Sequence, residues 1–390
     1  MVACRHSSRI VGLLLFVSGC ALQTNIPAVV ITAPELPDRW QAGPATAFDP
    51  VAEFARLLEL DEPTRADIRR ATRNFNTSDE RANYLMTQLL GSPEQAFLYK
   101  SDRTTAPTTT YQTHSGNCLS LTLLAYAMAR ELGFKAVIQE AIVPPVWERR
   151  LELDYINRHV NVKLMRPASS IQSGLDFSRD IVVDFEPSEY SRRVRSRSLE
   201  PAEVLAMYRN NLGAEALAGG DLPSAFAQFR AATIAYRQFD SSWINLALLY
   251  RRVGDNQTAE QVLLYARQLN PDSEAALLSL HGLMSGLGRP EAAALMAERV
   301  QRQEQDPYYW LRRAEAAAAK QQWKTARDHF LVAAELAQGF PEIHRGLAEV
   351  YQALGEQTLA LEQLAKVAEI EARFPADDAV YVPVSLPIRP

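Results

Sequence analysis

The feature that most restricts the fold of this 390-residue chain is a self-similarity that recurs at a nearly constant interval through its second half. From about Leu205 onward the composition shifts to Ala, Leu, Gln, Arg and Glu, and one alanine recurs at spacings of 34, 34, 33 and 34 positions. A fixed period of this length is typical of stacked supersecondary units that bury their apolar residues against one another. The recurring residues are Ala225, Ala259, Ala293, Ala326 and Ala360.

Aromatic residues, glycines and a proline recur around these alanines. They are Leu212-Gly213, Trp243 with Tyr250, Gly254, Pro271, Gly288, Trp310, Phe330 with Ala333, and Tyr351 with Gly355. The pattern resembles the tetratricopeptide repeat, in about five copies over residues 205–372, and the third copy is the most degenerate because Leu277 replaces the tryptophan. The resemblance implies an all-α solenoid whose usual work is to present a concave groove to a peptide or a partner protein. Simple structural support is the alternative.

In the first half, a cysteine stands at the first turn of a predicted helix. Residues 115–117, Ser-Gly-Asn, supply a turn and an N-cap before Cys118. Unsatisfied N–H groups at a helix N-terminus favour a thiolate, which is the nucleophilic form. A cysteine on an apolar helix face is also commonly a small buried hydrophobe, so this feature alone leaves two interpretations. The residues that share its stripe at helical spacing are Leu121, Ala125, Met128 and Leu132.

Three alternating segments after this helix predict strands, over residues 135–143, 158–164 and 181–185. His159 begins the second strand, and Asp184 lies near the end of the third. A thiol needs a base to take its proton, and the imidazole needs a partner that fixes its tautomer and stabilises its charge. Cysteine, histidine and aspartate in this order therefore form a minimal set for nucleophilic catalysis.

Three motifs in this region, G-N-C-L-S, R-H-V-N-V and V-V-D-F-E-P, resemble the core of the transglutaminase-like superfamily. The resemblance runs from about Tyr111 to Pro187 and implies an α+β, papain-like catalytic domain over residues 48–200. It implies that Cys118 is the nucleophile, His159 the general base and acid, and Asp184 the residue that orients the imidazole. It also implies acyl transfer from an amide to an amine or to water through a thioester.

Gln112 is a candidate for the oxyanion hole, because thiol proteases of another branch place a glutamine six residues before the cysteine. The alternative is an ordinary loop glutamine, with the Cys118 N–H supplying the hole. The six histidines are scattered, Cys118 has no partner at ligand spacing, and there is no phosphate loop. The sequence therefore predicts no metal and no cofactor.

Residues 1–20 have the pattern of an export signal. Two arginines precede a short apolar stretch, residues 10–17, which is too short to span a bilayer. Its end, V-S-G-C, resembles the bacterial lipobox, which implies cleavage before Cys20 and lipid attachment to that residue. An uncleaved signal anchor is the alternative. Ala21 stands where an aspartate would direct retention in the inner membrane, so the implied location is the outer membrane of the bacterial cell envelope, facing the periplasm.

The remaining stretches and the charge complete the predicted organisation. Residues 21–47 hold several prolines and predict a tether, and residues 373–390 predict an extended tail. The net charge of -5 is mild, which disfavours a nucleic-acid partner. Of the three cysteines, processing would remove Cys4 and lipidate Cys20, so that Cys118 would remain as a single thiol in an exported protein, a candidate reactive group.

These features predict an exported, lipid-anchored thiol enzyme that acts on amide bonds by hydrolysis or acyl transfer. The repeats would recruit a protein or peptide substrate or another protein partner, and the lipid would bind the membrane. The alternative is a non-catalytic scaffolding lipoprotein that uses its repeats for protein–protein interaction. The presence of Cys118, His159 and Asp184 together favours the enzyme, since a scaffold does not need all three.

Overall fold

The structure is a computed structural model, and it describes residues 32–41, 48–90, 97–100, 103–141, 147–150, 153–156, 159–165, 180–185, 196–337, 339–373 and 380–383. The proposed signal peptide and Cys20 lie outside the described residues. Among the described residues, no helix is long and apolar enough to cross a membrane.

The first described part of the fold is mainly helical. Aspartates cap two of its helices, with Asp49 accepting a hydrogen bond from the Val51 N–H and Asp61 from the Thr64 N–H, and each helix has proline in its first turn. The elements in chain order are α1 (Pro50–Leu57), α2 (Glu62–Thr72), α3 (Ser78–Leu90), β1 (Leu98–Tyr99), α4 (Pro107–Thr113), β2 (Ser115–Gly116) and α5 (Cys118–Glu131).

A five-stranded sheet follows α5 and has the strand order β8-β3-β6-β7-β9. The pairs β8–β3, β3–β6 and β6–β7 are antiparallel, whereas β9 pairs parallel to β7. The three predicted strands correspond to β3, β6 and β7. The strands are β3 (Ala136–Ala141), β4 (Trp147–Arg150), β5 (Leu153–Ile156), β6 (Val160–Leu164), β7 (Ile181–Asp184), β8 (Ser196–Ser198) and β9 (Val380–Pro383), with β4 and β5 forming a separate hairpin.

Helix α5 is the centre of the first core. Ten of its 14 residues are buried, because it packs among α3, α4 and the sheet. The stripe predicted from the sequence is buried at Leu121, Ala125, Met128 and Leu132. One face of the sheet supplies the other side of this core through Val160, Val162, Leu164, Ile181 and Val183, which alternate along β6 and β7.

The second half is all-α, which confirms the predicted helical-repeat region. Ten helices form five consecutive pairs, and each pair is joined by a short turn. They are α6 (Pro201–Ala218), α7 (Leu222–Ala235), α8 (Asp240–Arg252), α9 (Asn256–Leu269), α10 (Glu274–Gly286), α11 (Glu291–Gln305), α12 (Pro307–Ala319), α13 (Trp323–Leu336), α14 (Pro341–Ala353) and α15 (Gln357–Arg373).

The period of the sequence is also a period of the backbone. The turn inside each pair contains one residue with positive φ, and these residues are 34, 34, 33 and 34 positions apart. Glycine adopts this conformation at little cost, so four of the five positions are glycine. The residues are Gly220, Gly254, Gly288, Gln321 and Gly355.

The stacking is interrupted at the third pair. Ala225, Ala259, Ala326 and Ala360 are buried, but Ala293 on α11 is exposed and α11 buries none of its residues. Four residues after each alanine the other pairs have a large apolar residue, Phe229, Leu263, Phe330 or Leu364, whereas the third pair has Ala297. Helix α11 packs on the core of α6–α10 through the partly buried Ala292 and Leu295, and it separates that core from the core of α12–α15.

The two halves of the chain share a core. Val204, Leu205 and Met207 of α6 belong to the same apolar cluster as α5 and the sheet, and Arg209 of α6 forms an ion pair with Glu53 of α1. The apolar core therefore continues across Glu200-Pro201, where the secondary structure changes from strands to repeat helices. The C-terminal end also returns to the first half, because β9 pairs with β7.

We expect β9 to stabilise the sheet that carries Asp184. Deleting residues 374–390 leaves β7 at the edge of the sheet without its parallel partner, and we expect the midpoint of thermal unfolding to fall by about 5 °C, as a few backbone hydrogen bonds are lost. Hydrogen exchange of the 181–184 amides should become faster. Deleting only residues 384–390 keeps β9 and is the matched control. Equal exchange in the two truncated chains would contradict this role.

Candidate active site

The turn that leads into α5 is held in an uncommon conformation. His114 ends α4 with φ 48 and ψ 38, the left-handed region that non-glycine residues seldom adopt. Its ring stacks on Phe97 at 5.1 Å, and its carbonyl accepts a hydrogen bond of 2.8 Å from the Leu98 N–H. The Gly116 carbonyl accepts a second bond of 3.0 Å from the Lys100 N–H. The β1–β2 pair thus fixes the chain directly before Cys118.

Glycine is the residue type that fits at position 116 without displacing its neighbours. A Cβ atom there would lie 2.7 Å from Cβ of Ser120 and 3.4 Å from Cγ2 of Thr110. Both neighbours are fully buried, so neither can move aside easily. The glycine therefore lets the strand approach the first turn of α5 closely.

Asn117 caps α5 and is itself held in place. Its Oδ1 accepts bonds of 2.9 Å from both the N–H and the hydroxyl of Ser120, and its Nδ2 donates to Oγ1 of Thr104 at 2.8 Å. The Ser120 hydroxyl in turn accepts a bond of 2.8 Å from the Thr105 N–H. All these side chains are buried, so the cap satisfies groups that would otherwise lose their hydrogen bonds to water.

The repeat array reaches this cap through Glu215 on α6. Its Oε1 accepts a hydrogen bond of 2.6 Å from the Thr104 N–H. Thr104 thus joins the first repeat helix to Asn117, and Asn117 joins it to the N-terminus of α5. Sequence reasoning missed Glu215 and Thr104, because they lie 111 positions apart and neither belongs to a motif.

Cys118 is the first residue of α5 and is partly exposed, whereas the rest of its stripe is buried. It lies one turn before Thr122, on the same side of the helix. The Thr122 hydroxyl donates a bond of 3.4 Å to the Val160 carbonyl, and Val160 follows His159. The thiol therefore stands at the end of the helix face that packs against the beginning of β6.

His159 and Asp184 are in direct contact. Nε2 of His159 lies 2.6 Å from Oδ2 of Asp184, and their side chains are 8% and 0% exposed. The antiparallel register pairs Val162 with Val183, which brings the start of β6 beside the end of β7. A hydrogen bond this short and this buried holds the imidazole ring in one orientation.

Asn161 adds an acceptor beside this pair. It lies two residues after His159, on the same face of β6, and the strand register brings it opposite Asp184. The side chain is 1% exposed, and its Oδ1 has no hydrogen-bond partner in the part of the chain that the structure describes. Buried oxygens of this kind call for an explanation, and a bound group that donates a hydrogen bond is one.

Gln112 lies on α4, in a stretch that we expected to be a loop. Its side chain is exposed, and its Nε2 donates a hydrogen bond of 2.9 Å to Oδ2 of Asp61. Hydrogen bonds from Thr64 and from Gln112 hold the pKa of Asp61 below its usual value, so the carboxylate is charged at neutral pH and keeps the amide. An oxyanion role would require Gln112 to give up this bond.

No group of three or more metal-binding side chains comes together among the described residues. No family model and no curated protein matches the chain. The described residues define a two-part protein, in which an α+β part carries a buried His–Asp pair and a helix-borne thiol, and an all-α repeat part follows.

Several solved structures are similar to this chain. The match to MamA spans 46% of this chain and 98% of the MamA chain, at 14% sequence identity. The match to MamA 41-end from Desulfovibrio magneticus RS-1 spans 44% of this chain and 97% of that chain, at 16% identity. YrrB, described as a TPR protein with an unusual peptide-binding site, covers 43% and 88% at 16% identity. All three have a TM-score of 0.24, and the repeat architecture described above follows from the helices of this chain itself. The transglutaminase-like fold of the α+β part stays a prediction.

We expect the Asn117 cap to control the thiol as well as stability. Asn117→Ala should cost about 1 kcal/mol as a lost N-cap, and it should slow alkylation of Cys118 because the N-terminus of α5 loses its fixed position. Asp221→Ala is the matched control, since Asp221 caps α7 through a bond of 3.1 Å from the Ser224 N–H. Both variants should unfold at lower temperature. Equal alkylation rates in the two would contradict the link to the thiol.

Proposed function

We propose that the protein is a thiol enzyme that cleaves or exchanges amide bonds, with Cys118 as nucleophile. The observation that carries the proposal is the buried 2.6 Å contact between His159 and Asp184. This contact lies at the start of β6, against which the α5 face that begins with Cys118 packs. A structural histidine needs no carboxylate at this distance, whereas a general base needs its tautomer fixed and its positive charge stabilised.

The reaction balances with the residues at hand. Nδ1 of His159, the nitrogen that does not face Asp184, takes the proton of the Cys118 thiol, and the sulfur attacks the amide carbonyl. The backbone N–H groups at the start of α5 donate hydrogen bonds to the oxyanion that forms. His159 then gives its proton to the leaving amine, which leaves a thioester on Cys118. Water or a second amine attacks this thioester with His159 again as base, and the thiol is restored.

Asn161 supports a substrate role for the same face of the sheet. Its Oδ1, which accepts no hydrogen bond from the described residues, suits the N–H of an amide substrate. The reaction as written needs no metal or cofactor. Cysteine peptidase and transglutaminase-like chemistry both follow this scheme and differ in whether water or an amine resolves the thioester.

We expect Cys118 to be alkylated by iodoacetamide at pH 6.5 about tenfold faster than free cysteine, because a paired thiolate persists below the ordinary titration range of a thiol. His159→Ala should remove most of this advantage, and Asp184→Asn should reduce it while leaving the fold intact. His281→Ala, on α10, is the control for loss of a histidine. Alkylation of wild type no faster than free cysteine would reject the nucleophile.

The substrate can be sought with the same variants. Wild-type protein incubated with a cell-envelope extract should produce peptides with new termini if water resolves the thioester, or amine-linked peptides if an amine does. Cys118→Ser should produce neither. Mass spectrometry of the extract distinguishes the outcomes. Reactive Cys118 without products would leave the second candidate, a non-catalytic scaffold, for which the large repeat array is the favouring observation.

We further propose that lipid on Cys20 anchors the protein to the outer membrane, facing the periplasm, and that the repeats recruit a protein partner. The support is the lipobox-like V-S-G-C sequence and the extent of the array. Cys20→Ser should leave an uncleaved or soluble species in membrane fractionation, whereas Cys4→Ser, in the segment that processing removes, should change nothing. Unchanged fractionation of Cys20→Ser would point to an uncleaved signal anchor.

A further inference from the structure

A segment near the N-terminus lies against the first repeats, although it belongs to the stretch predicted as a tether. We call residues 33–41 the leading segment, with the sequence A-P-E-L-P-D-R-W-Q. Ala33, Leu36 and Trp40 pack on the apolar core of α6–α10. The segment also makes a polar contact with the array, between Arg39 and Asp255, which lie 216 positions apart in the sequence. The contact therefore joins two parts of the chain that are far apart in sequence.

Trp40 provides the apolar part of the contact. Its ring centroid lies 4.8 Å from that of Phe226 on α7 and 5.3 Å from that of Tyr250 on α8. Phe226 and Tyr250 are fully buried when Trp40 is in place. Aromatic rings at these separations bury a large area and gain further from their mutual orientation.

The polar contacts of the array involve both the backbone and the charged side chains of the leading segment. The Tyr250 hydroxyl donates a bond of 2.8 Å to the Pro37 carbonyl, and burial raises the pKa of Tyr250, which keeps this donor protonated. Nε and Nη2 of Arg39 both lie 2.6 Å from Oδ2 of Asp255. Asp38 lies 3.9 Å from Arg230, which in turn stands over the Phe226 ring at 5.0 Å.

The charge state of Asp255 favours the ion pair with Arg39. Burial acts to raise its pKa, but hydrogen bonds from the Thr258 N–H and hydroxyl and from Arg39 outweigh it and lower the pKa. The carboxylate is thus charged at neutral pH. Since Arg39 itself is 53% exposed, its ion pair contributes little affinity, and the aromatic contact carries most of it while the charges select the sequence.

We infer that Phe226, Arg230, Tyr250 and Asp255 form a peptide-binding surface for an extended segment in which an acidic and a basic residue precede an aromatic one. We call this set the docking surface. The leading segment is its resident occupant, and a partner protein that presents the same chemistry competes for it. The inference rests on the proposed recruiting role of the repeats, but not on the chemistry of Cys118.

Covalent attachment makes the leading segment a strong competitor. Attachment through a short stretch of the same chain gives a local concentration of about 1 mM, so a partner peptide with a dissociation constant of about 10 μM would bind the occupied surface about 100-fold more weakly than the empty one. Binding should therefore be weak in wild type and strong when the segment is weakened.

The test uses full-length protein and a fluorescein-labelled peptide with the sequence of residues 33–41. The double variant Arg39→Ala, Trp40→Ala should bind this peptide at least tenfold more tightly than wild type, as measured by fluorescence anisotropy. Adding Asp255→Asn should weaken binding, because asparagine still caps α9 but carries no charge for the peptide arginine. Asp221→Asn, at the equivalent cap of α7 in the preceding pair, is the matched control and should have no effect.

Several results would overturn the inference. No binding to the folded double variant would make the leading segment a fixed part of the fold, and binding insensitive to Asp255→Asn would place the peptide elsewhere. If the double variant does not fold, hydrogen exchange decides in wild type: excess peptide should raise exchange in residues 33–41, and no change at high peptide concentration rejects the surface. Alkylation of Cys118 is measured in parallel, so that an unreactive thiol with intact peptide binding would overturn only the proposed enzyme.

Discussion

The N-terminus of α5 is the constraint on which the rest of the structure depends. A helix that is buried along most of its length cannot leave the N–H groups of its first turn to water, so they must be satisfied inside the protein. Asn117 does this, but a buried asparagine needs partners of its own, and Thr104 supplies one. Thr104 is then held by Glu215 of the repeat array. One capping requirement thus ties the start of α5 to Glu215 of the repeat array, which is 111 positions further along the chain than Thr104.

This connection makes the structure of the α+β part depend on the repeat helices. A catalytic part that ended before α6 would lose Glu215 and would also expose the sites where Val204, Leu205 and Met207 complete its core. The sheet would lose β9 as well, because that strand follows the last repeat helix. The repeats are therefore structural for the α+β part, whatever they bind. A fragment that ends near Glu200 is not a fair test of the chemistry of Cys118.

The sequence was sufficient wherever a pattern is periodic or local. The repeat helices, α5 and the strands β3, β6 and β7 follow from their spacing, and the His159–Asp184 contact follows once β6 and β7 are neighbours. The sequence was insufficient where contacts between distant residues determine the local structure. Residues 107–113 are rich in threonine, a weak helix former, so α4 depends on tertiary contacts. Nothing local in Val380–Pro383 indicates which strand it joins, and the prolines near Trp40 indicate a tether rather than a bound segment.

The interruption at α11 bears on how the end of the array returns to the sheet. Regular stacking places successive helices about 8–10 Å apart, so a straight stack of five pairs carries its end on the order of 50 Å from its beginning. Yet the chain returns from Arg373 to Val380 within seven steps along the backbone, which span at most about 25 Å, to pair with β7 beside Asp184. The last repeat helix must therefore end within reach of the sheet, which the array also contacts at its beginning through α6. Helix α11, with Ala297 in place of a large apolar residue and with no fully buried side chain, is the helix at which a bend of the array would cost the least packing.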